Sequence, residues 1–180
     1  MKKIIAFGAS NSPVSINKKL AVFAAKQLKD VEIQILDLND FELPIFSVVT
    51  EESEGVPKAA QTFATHIKNC DGIVVSLAEN NGLYTSAFKN LWDWMSRLET
   101  QKIWQGKPIF LMATSPSKRP ELNVLKVSQY LFPLFGARII SSFSLPSFNH
   151  FFQNEAIIEP DLKSEFLKQL KNYQQFINNI

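Results

Sequence analysis

The sequence predicts a doubly wound α/β fold, a parallel sheet covered by helices on both faces. Three observations predict it: short apolar runs recur along the 180 residues, amphipathic helical patterns fill the gaps, and the two kinds of segment alternate. The first run is Ile4-Ile5-Ala6-Phe7, apolar at every position, as suits a strand buried on both faces. A helix over 16–29 follows, with Leu20, Phe23, Ala24 and Leu28 on its apolar side. The second run, 31–38, sets Val31, Ile33 and Ile35 against Glu32 and Gln34, the alternation of an edge strand. Residues 40–56 read as the longest irregular stretch, at the carboxyl edge of the sheet. Pro57 opens a second helix carrying Ala60, Phe63, Ala64 and Ile67 on one face. The third run is 73–77, followed by a helix over 87–98. The fourth is 109–112, followed by a helix over 122–135 that Gly136 ends. The fifth is 137–143. Pro160 then introduces a last helix over 161–177, with Leu162, Phe166, Leu170 and Tyr173 inward.

Five strands in this alternation favour the flavodoxin-like order 2-1-3-4-5 in a three-layer sandwich, read as one domain over 1–180. Six glycines exclude collagen, glycine linkers and most propeller repeats. A hydrophobic share of 46% against 20% charged residues supports a real core and excludes disorder. One cysteine, Cys70, excludes an intramolecular disulfide and a cysteine-rich zinc site. A net charge of +2 is too small and too dispersed to imply nucleic acid. The apolar stretch after Met1-Lys2-Lys3 is too short for a signal-peptide core, and no later run approaches a membrane span. A cytoplasmic protein without a membrane or nucleic-acid partner is expected.

Ligands of such sheets bind outside the carboxyl ends of the strands at the switch point, here the loops after strands one, three and four. The first loop runs Gly8-Ala9-Ser10-Asn11-Ser12-Pro13-Val14-Ser15-Ile16-Asn17 into a helix. Free backbone donors, the dipole and three hydroxyls suit a phosphate there. A polar turn capped by Ser15 fits the same residues. The loop lacks both the Gly-Lys-Ser/Thr of a Walker loop and the three glycines of a dinucleotide turn. The second loop, Ala78-Glu79-Asn80-Asn81-Gly82-Leu83-Tyr84-Thr85-Ser86, brings amides suited to the edge of a heterocycle, and Asn-Gly is equally a turn pair. In the helix beyond it, Asp93 and Arg97 stand at ion-pair spacing. Trp92 and Trp94 lie on different faces, which predicts one in the core and one in a groove or subunit contact. The third loop, Ala113-Thr114-Ser115-Pro116-Ser117-Lys118-Arg119-Pro120-Glu121, is polar, basic and free of glycine.

On these residues the chain resembles the NADPH-dependent FMN reductase family, flavodoxin-like quinone, azo-dye and chromate reductases, over nearly its whole length. The family's first loop reads Gly-Ser-x-Arg-x-x-Ser-x-Asn, matched here at Ser10, Ser15 and Asn17, with Ala9 and Ser12 in place of the glycine and arginine. The second motif, Pro-Glu-Tyr-Asn-x-Ser followed by Gly-x-Leu-Lys-Asn-Ala-x-Asp-Trp-x-Ser-Arg, is matched at Glu79, Asn81, Lys89, Asn90, Asp93, Trp94, Ser96 and Arg97. Ala78, Asn80, Leu83 and Ser86 depart from it. The third motif, Ser-Pro-Gly-Gly-x-Gly-Gly, is matched at Ser115 and Pro116, while Ser117, Lys118, Pro120 and Glu121 stand for its glycines. Leu145-Pro146-Ser147-Phe148 is similar to the family at an active-site mouth. The resemblance implies FMN, with its phosphate on Ser10, Ser12, Ser15, Ile16 and Asn17. It implies a flavin ring framed by Ala78, Glu79, Asn80, Asn81, Gly82 and Leu83 and by Ser115, Pro116 and Ser117. It further implies NADPH or NADH as hydride donor, a quinone, azo or flavin acceptor, no catalytic side chain, and a homodimer or homotetramer.

Two other readings stand beside this one: a flavodoxin-like binding or assembly module with weak or no flavin, and an electron-transfer flavoprotein. His66 and His150 lack a second histidine or acid at ligand spacing, so no metal is expected. Cys70 is read as a small packed residue. The aromatic 148–152 segment reads as a lid or, more commonly, a hydrophobic cluster under a loop.

Overall fold

The first strand, β1 (Lys2–Ala9), sends Ile5, Phe7 and Ala9 to one side and Ile4 and Ala6 to the other, all at 0–1% exposure. A strand buried on both faces needs a helix layer on each, and the computed structural model has that architecture. It describes residues 1–98, 102–119 and 122–180. β1, β2 (Val31–Ile35), β3 (Gly72–Leu77), β4 (Pro108–Thr114) and β5 (Arg138–Leu145) form one parallel sheet of order β2-β1-β3-β4-β5, the order the alternation predicts. Phe7 lies opposite Val75, and Val75 opposite Leu111, so apolar rows cross the sheet.

Helices α1 (Ile16–Lys26) and α7 (Pro160–Asn178) cover one face, burying Leu20, Ala24, Phe166, Leu170, Tyr173 and Ile177 against Val74 and Phe110. The other face carries α3 (Lys58–Asn69), α4 (Ser86–Met95) and α5 (Asn123–Leu134), with Phe63, Phe88 and Phe132 packed on Phe7, Val75 and Leu111. The described residues also contain two short α-helices, α2 (Val48–Glu54) and α6 (Phe148–Phe151), and a 3-10 turn at Leu38–Asp40.

Three expectations change. Residues 40–56 are not irregular throughout, because they contain α2, capped by the Ser47 hydroxyl on Thr50 N and closed at Gly55 (φ 73°). No residue of α2 is buried, so no apolar stripe announces it. Trp92 and Trp94 are both buried, at 5% and 0%. Trp92 packs on Trp104 and Phe132, while Trp94 meets Phe46 and donates its Nε1–H to Pro44 O at 2.7 Å. Asp93 pairs backward with Lys89, and Arg97 reaches Glu51 of α2 instead. The 148–152 segment takes the commoner of its two expected forms, a packed cluster: Phe148 is 4% exposed and stacks on Phe152 at 4.7 Å.

Cys70 is 3% exposed and donates its thiol to Ile67 O. Burial pushes the thiol pKa up to about 11, and the thiolate is the reactive form. Alkylation by iodoacetamide at neutral pH, followed by mass, should leave the folded protein unmodified and add one equivalent when it is unfolded.

Candidate functional site at the carboxyl edge of the sheet

Gly8 lies at the end of β1, and the loop 10–15 leads from there into α1. A Cβ on Gly8 would stand 2.3 Å from Lys18 N and 2.6 Å from Lys18 Cα, so the helix backbone seats directly on the strand end and only glycine fits. Ser15 is the N-cap, its Oγ accepting from Lys18 N at 3.1 Å and its carbonyl from Lys19 N. The N–H groups of Ile16 and Asn17 have no acceptor among the described residues. Ser10 Oγ accepts from Ser12 N, and the Ser12 hydroxyl has no partner among the described residues. Free donors and hydroxyls at a dipole's positive end are the chemistry an anion needs. The residues therefore fit the phosphate end of FMN.

Asn17 is 3% exposed, and its carboxamide is committed to the sheet. Nδ2 donates to Thr114 O at 3.1 Å, and Oδ1 accepts from Thr114 N at 3.1 Å and from Ser76 Oγ at 2.7 Å. The side chain thus ties the start of α1 to the ends of β3 and β4, leaving its backbone N–H for a ligand. Thr85 makes the matching tie, donating to Ala9 O at 3.0 Å while capping α4 through Phe88 N. Lys18 spends its charge on Asp37 at the end of β2. Burial raises the Asp37 pKa, but the Lys18 and Asn39 hydrogen bonds outweigh it and hold the carboxyl below its ordinary 3.8. That stability is present in full above the ordinary value and lost as pH falls through the lowered one. Asp37→Asn should therefore flatten the acid limb of a stability–pH curve followed by urea unfolding.

The second loop is a hairpin, Glu79–Asn80 paired with Leu83–Tyr84. Asn81 (φ 52°) and Gly82 (φ 87°) form its turn, the left-handed pair that an Asn-Gly dipeptide supports. Tyr84 anchors the hairpin, stacked on Trp92 and bonded to Ser128 Oγ at 2.7 Å. The Glu79 side chain is 2% exposed. One of its oxygens binds Arg119, and the other accepts Val124 N at 2.9 Å, capping α5 where Leu122 offers no side-chain cap. Glu79 thereby braces the third loop from beneath.

That third loop keeps its shape without glycine because no described residue from Ser115 to Arg119 has a positive φ. Ser115 Oγ accepts from Ser117 N and Ser117 Oγ from Arg119 N, one turn each. Ser147 N donates to Ser117 O at 2.7 Å and Phe148 N to Ser115 O at 3.0 Å, which fastens the loop to the one following β5. Pro120 and Glu121, where the sequence also departs from the glycine-rich pattern, lie outside the described residues.

The expected site residues therefore meet at one sheet edge, linked by Asn17–Thr114, Thr85–Ala9 and Glu79–Arg119. Asn80, Asn81 and Leu83 point outward from the hairpin onto an open recess. The sequence reading missed the 38–44 segment, which with Asn11 and the face of α4 lines a cavity of about 540 Å³. Asn90 and Trp94, two residues of the recognised motif, hold that segment by accepting from Phe46 N and donating to Pro44 O. Their motif match was the available signal.

A family model described as NADPH-dependent FMN reductase matches residues 2–150. A quinone reductase of Escherichia coli (strain K12) is 31% identical over 74 residues, 41% of this chain and 39% of that protein. A 2-hydroxy-1,4-benzoquinone reductase of a Burkholderia species is 31% identical over 102 residues, 56% of this chain and 54% of that protein. The chain thus spans about half or less of the curated relatives it matches. Among solved structures, a flavoenzyme NAD(P)H:(acceptor) oxidoreductase from Paracoccus denitrificans superposes with a TM-score of 0.77 at 19% identity, covering 99% of this chain and 98% of that one. Oxidised flavodoxin 1 from Bacillus cereus superposes with a TM-score of 0.56 at 15% identity over 100% and 99% of the two chains. These identities speak for the fold.

Proposed function

The chain belongs to the NADPH-dependent FMN reductase family, and on that premise we propose that it is an FMN-dependent NAD(P)H oxidoreductase for small quinone, azo or flavin acceptors. The observation that carries this reading is the open start of α1, where Ile16 N, Asn17 N and the Ser12 hydroxyl have no partners among the described residues. Ser10, Ser12, Ser15, Ile16 and Asn17 hold the phosphate in this reading. Ala78 to Leu83 and Ser115 to Ser117 frame the ring, the first group on a hairpin anchored by Tyr84, the second on a loop braced by Glu79. Bound FMN supplies a two-electron carrier between nicotinamide and acceptor. The balance is NAD(P)H plus a quinone plus one proton giving NAD(P)⁺ plus the hydroquinone. The one carboxylate among the framing residues, Glu79, is bonded at both oxygens, and no side chain is assigned as acid or base. In this reading the two loops would position the ring for the hydride exchange that FMN supplies when bound.

The reading includes a homodimer or homotetramer in the cytoplasm. Ile45, Val48 and Val49 around α2 are 86%, 57% and 74% exposed, apolar surface that a second copy would cover. No described helix is long and apolar enough to cross a membrane.

Titration with FMN, followed by flavin fluorescence and by absorbance near about 450 nm, tests the cofactor directly. A colourless protein that takes up no FMN would sink the proposal. Ser15→Asp sharpens the test, because aspartate caps a helix as well as serine but sets a carboxylate against the phosphate. The variant should keep its melting temperature and bind FMN about tenfold or more weakly. Unchanged affinity would make the loop a helix cap alone.

A further inference from the structure

Around the cleft most buried or half-buried polar side chains are already paired, including Asn17, Thr85, Glu79, Asn90 and Thr114. Beside the third loop the opposite holds. A cavity of about 600 Å³ is lined by Pro116, Lys118, Ser147, Asn149, His150 and Phe151. Lys118, the Ser147 hydroxyl, the Asn149 amide and the His150 ring form no hydrogen bond or ion pair among the described residues. Each can donate at least one proton. Among the described residues no carboxylate lines the cavity. The neighbouring cation, Arg119, is neutralised by Glu79, which leaves Lys118 as the uncommitted cation among the described residues of this loop. The floor is apolar, formed by Pro116 and Phe151, and the Phe151 ring meets His150 edge-on at 4.8 Å.

The cavity is built rather than incidental. Lys118 comes from the loop after β4, and Ser147, Asn149 and His150 come from the loop after β5. The two loops are fastened by Ser147 N to Ser117 O and Phe148 N to Ser115 O. Ser147 itself sits in the left-handed region at φ 47°, and its carbonyl accepts from both His150 N and Phe151 N, which turns the segment so that it faces Lys118. Pro116, one of the residues that frame the proposed flavin ring, also lines this cavity.

We propose that this cavity is an anion subsite of the reductase, taking an acidic group on a planar substrate: the plane lies over Phe151 and Pro116, and the acid is held by Lys118 with Ser147, Asn149 and His150. The proposal rests on the oxidoreductase reading for its substrates. Two sources share the chemistry, a sulfonate or carboxylate on an aromatic acceptor and the 2′-phosphate of a dinucleotide. A charge-assisted contact is stronger than a neutral one, and an exposed one weakens with salt.

Binding decides the matter without turnover. The full chain, with and without FMN, is titrated by NMR with naphthalene-2-sulfonate against neutral naphthalenemethanol, and with adenosine 2′,5′-bisphosphate against adenosine 5′-monophosphate. At least one anion should shift the amide resonances of Asn149 to Phe151 and bind about tenfold more tightly than its control at about 0.02 M salt, with the advantage shrinking at about 0.5 M. Lys118→Gln, a change at an exposed side chain without partners, should remove that advantage. The sulfonate pair responding assigns the subsite to the acceptor, and the bisphosphate pair responding assigns it to the dinucleotide. No response from either anion, or an advantage that survives Lys118→Gln, overturns the proposal. Failure of the oxidoreductase reading is seen separately, as absence of FMN uptake.

Discussion

Gly8→Ala should lose about 3 kcal/mol or more of folding stability, the cost of forcing atoms into a packed interior with backbone on the other side. The added methyl meets Lys18 N, Lys18 Cα and Asn17 C, at 2.3, 2.6 and 2.8 Å. None of these belongs to a side chain that could swing away. Relief requires α1 to lift off β1, and that movement would pull Asn17 from Thr114 and misplace the free N–H groups of Ile16 and Asn17. FMN affinity should fall with stability. Gly55→Ala is the control. That glycine needs a special backbone (φ 73°), which Gly8 does not, but nothing lies within 4 Å of its Cβ position, so about 1–2 kcal/mol is expected. Urea unfolding of both variants reads the difference. A Gly8 variant as stable as the Gly55 variant would refute the direct seating of helix on strand.

Asn17→Ala should cost about 3 kcal/mol, because one truncation strands three buried groups, Thr114 N, Thr114 O and the Ser76 hydroxyl. Asn17→Asp separates geometry from charge. Its carboxylate can still accept from Thr114 N and Ser76, but it opposes Thr114 O and is buried, so its folded pKa rises above the unfolded value. The sign follows: stability relative to wild type is highest below the unfolded pKa and is lost as pH rises through the folded one. The Asp variant should approach wild type near about pH 4 and fall well below it at about pH 7. A pH-independent deficit would mean that the amide is not bonded as described.

The sheet and its five large covering helices were legible because their signal is local. A run such as Ile73-Val74-Val75-Ser76-Leu77 has to be buried on both faces, and helix spacing declares its own apolar side. The place of the candidate site could be proposed for the same reason, since strand order sets the switch point. The partners of the polar side chains were not legible. Asn17 and Thr114 are 97 positions apart, Glu79 and Arg119 are 40 apart, and no periodicity connects them. Asp93 had a cation at four residues on either side, and the choice of Lys89 follows from Glu51 engaging Arg97 through α2, an element without a buried residue. Motif matching found Asn90 and Trp94 without their task, which is to hold the 43–46 segment. The absent glycines of the third loop pointed to a difference but not to its remedy, a brace from Glu79 and fastening to the loop after β5.

The placement of the large aromatic rings divides the molecule optically. Trp92 and Trp104 lie in the core cluster under α3, α4 and α5, and Trp94 lies on α4 beside Pro44. The core beneath α1 and α7 contains phenylalanines and Tyr173 but no tryptophan. Indole emission therefore watches one hemisphere, while Gly8 and Asn17 act at the border of the other. A melt followed at tryptophan wavelengths is blind to a loosening of α1 alone, and its agreement or disagreement with far-ultraviolet dichroism measures whether the two hemispheres come apart as one unit or in sequence.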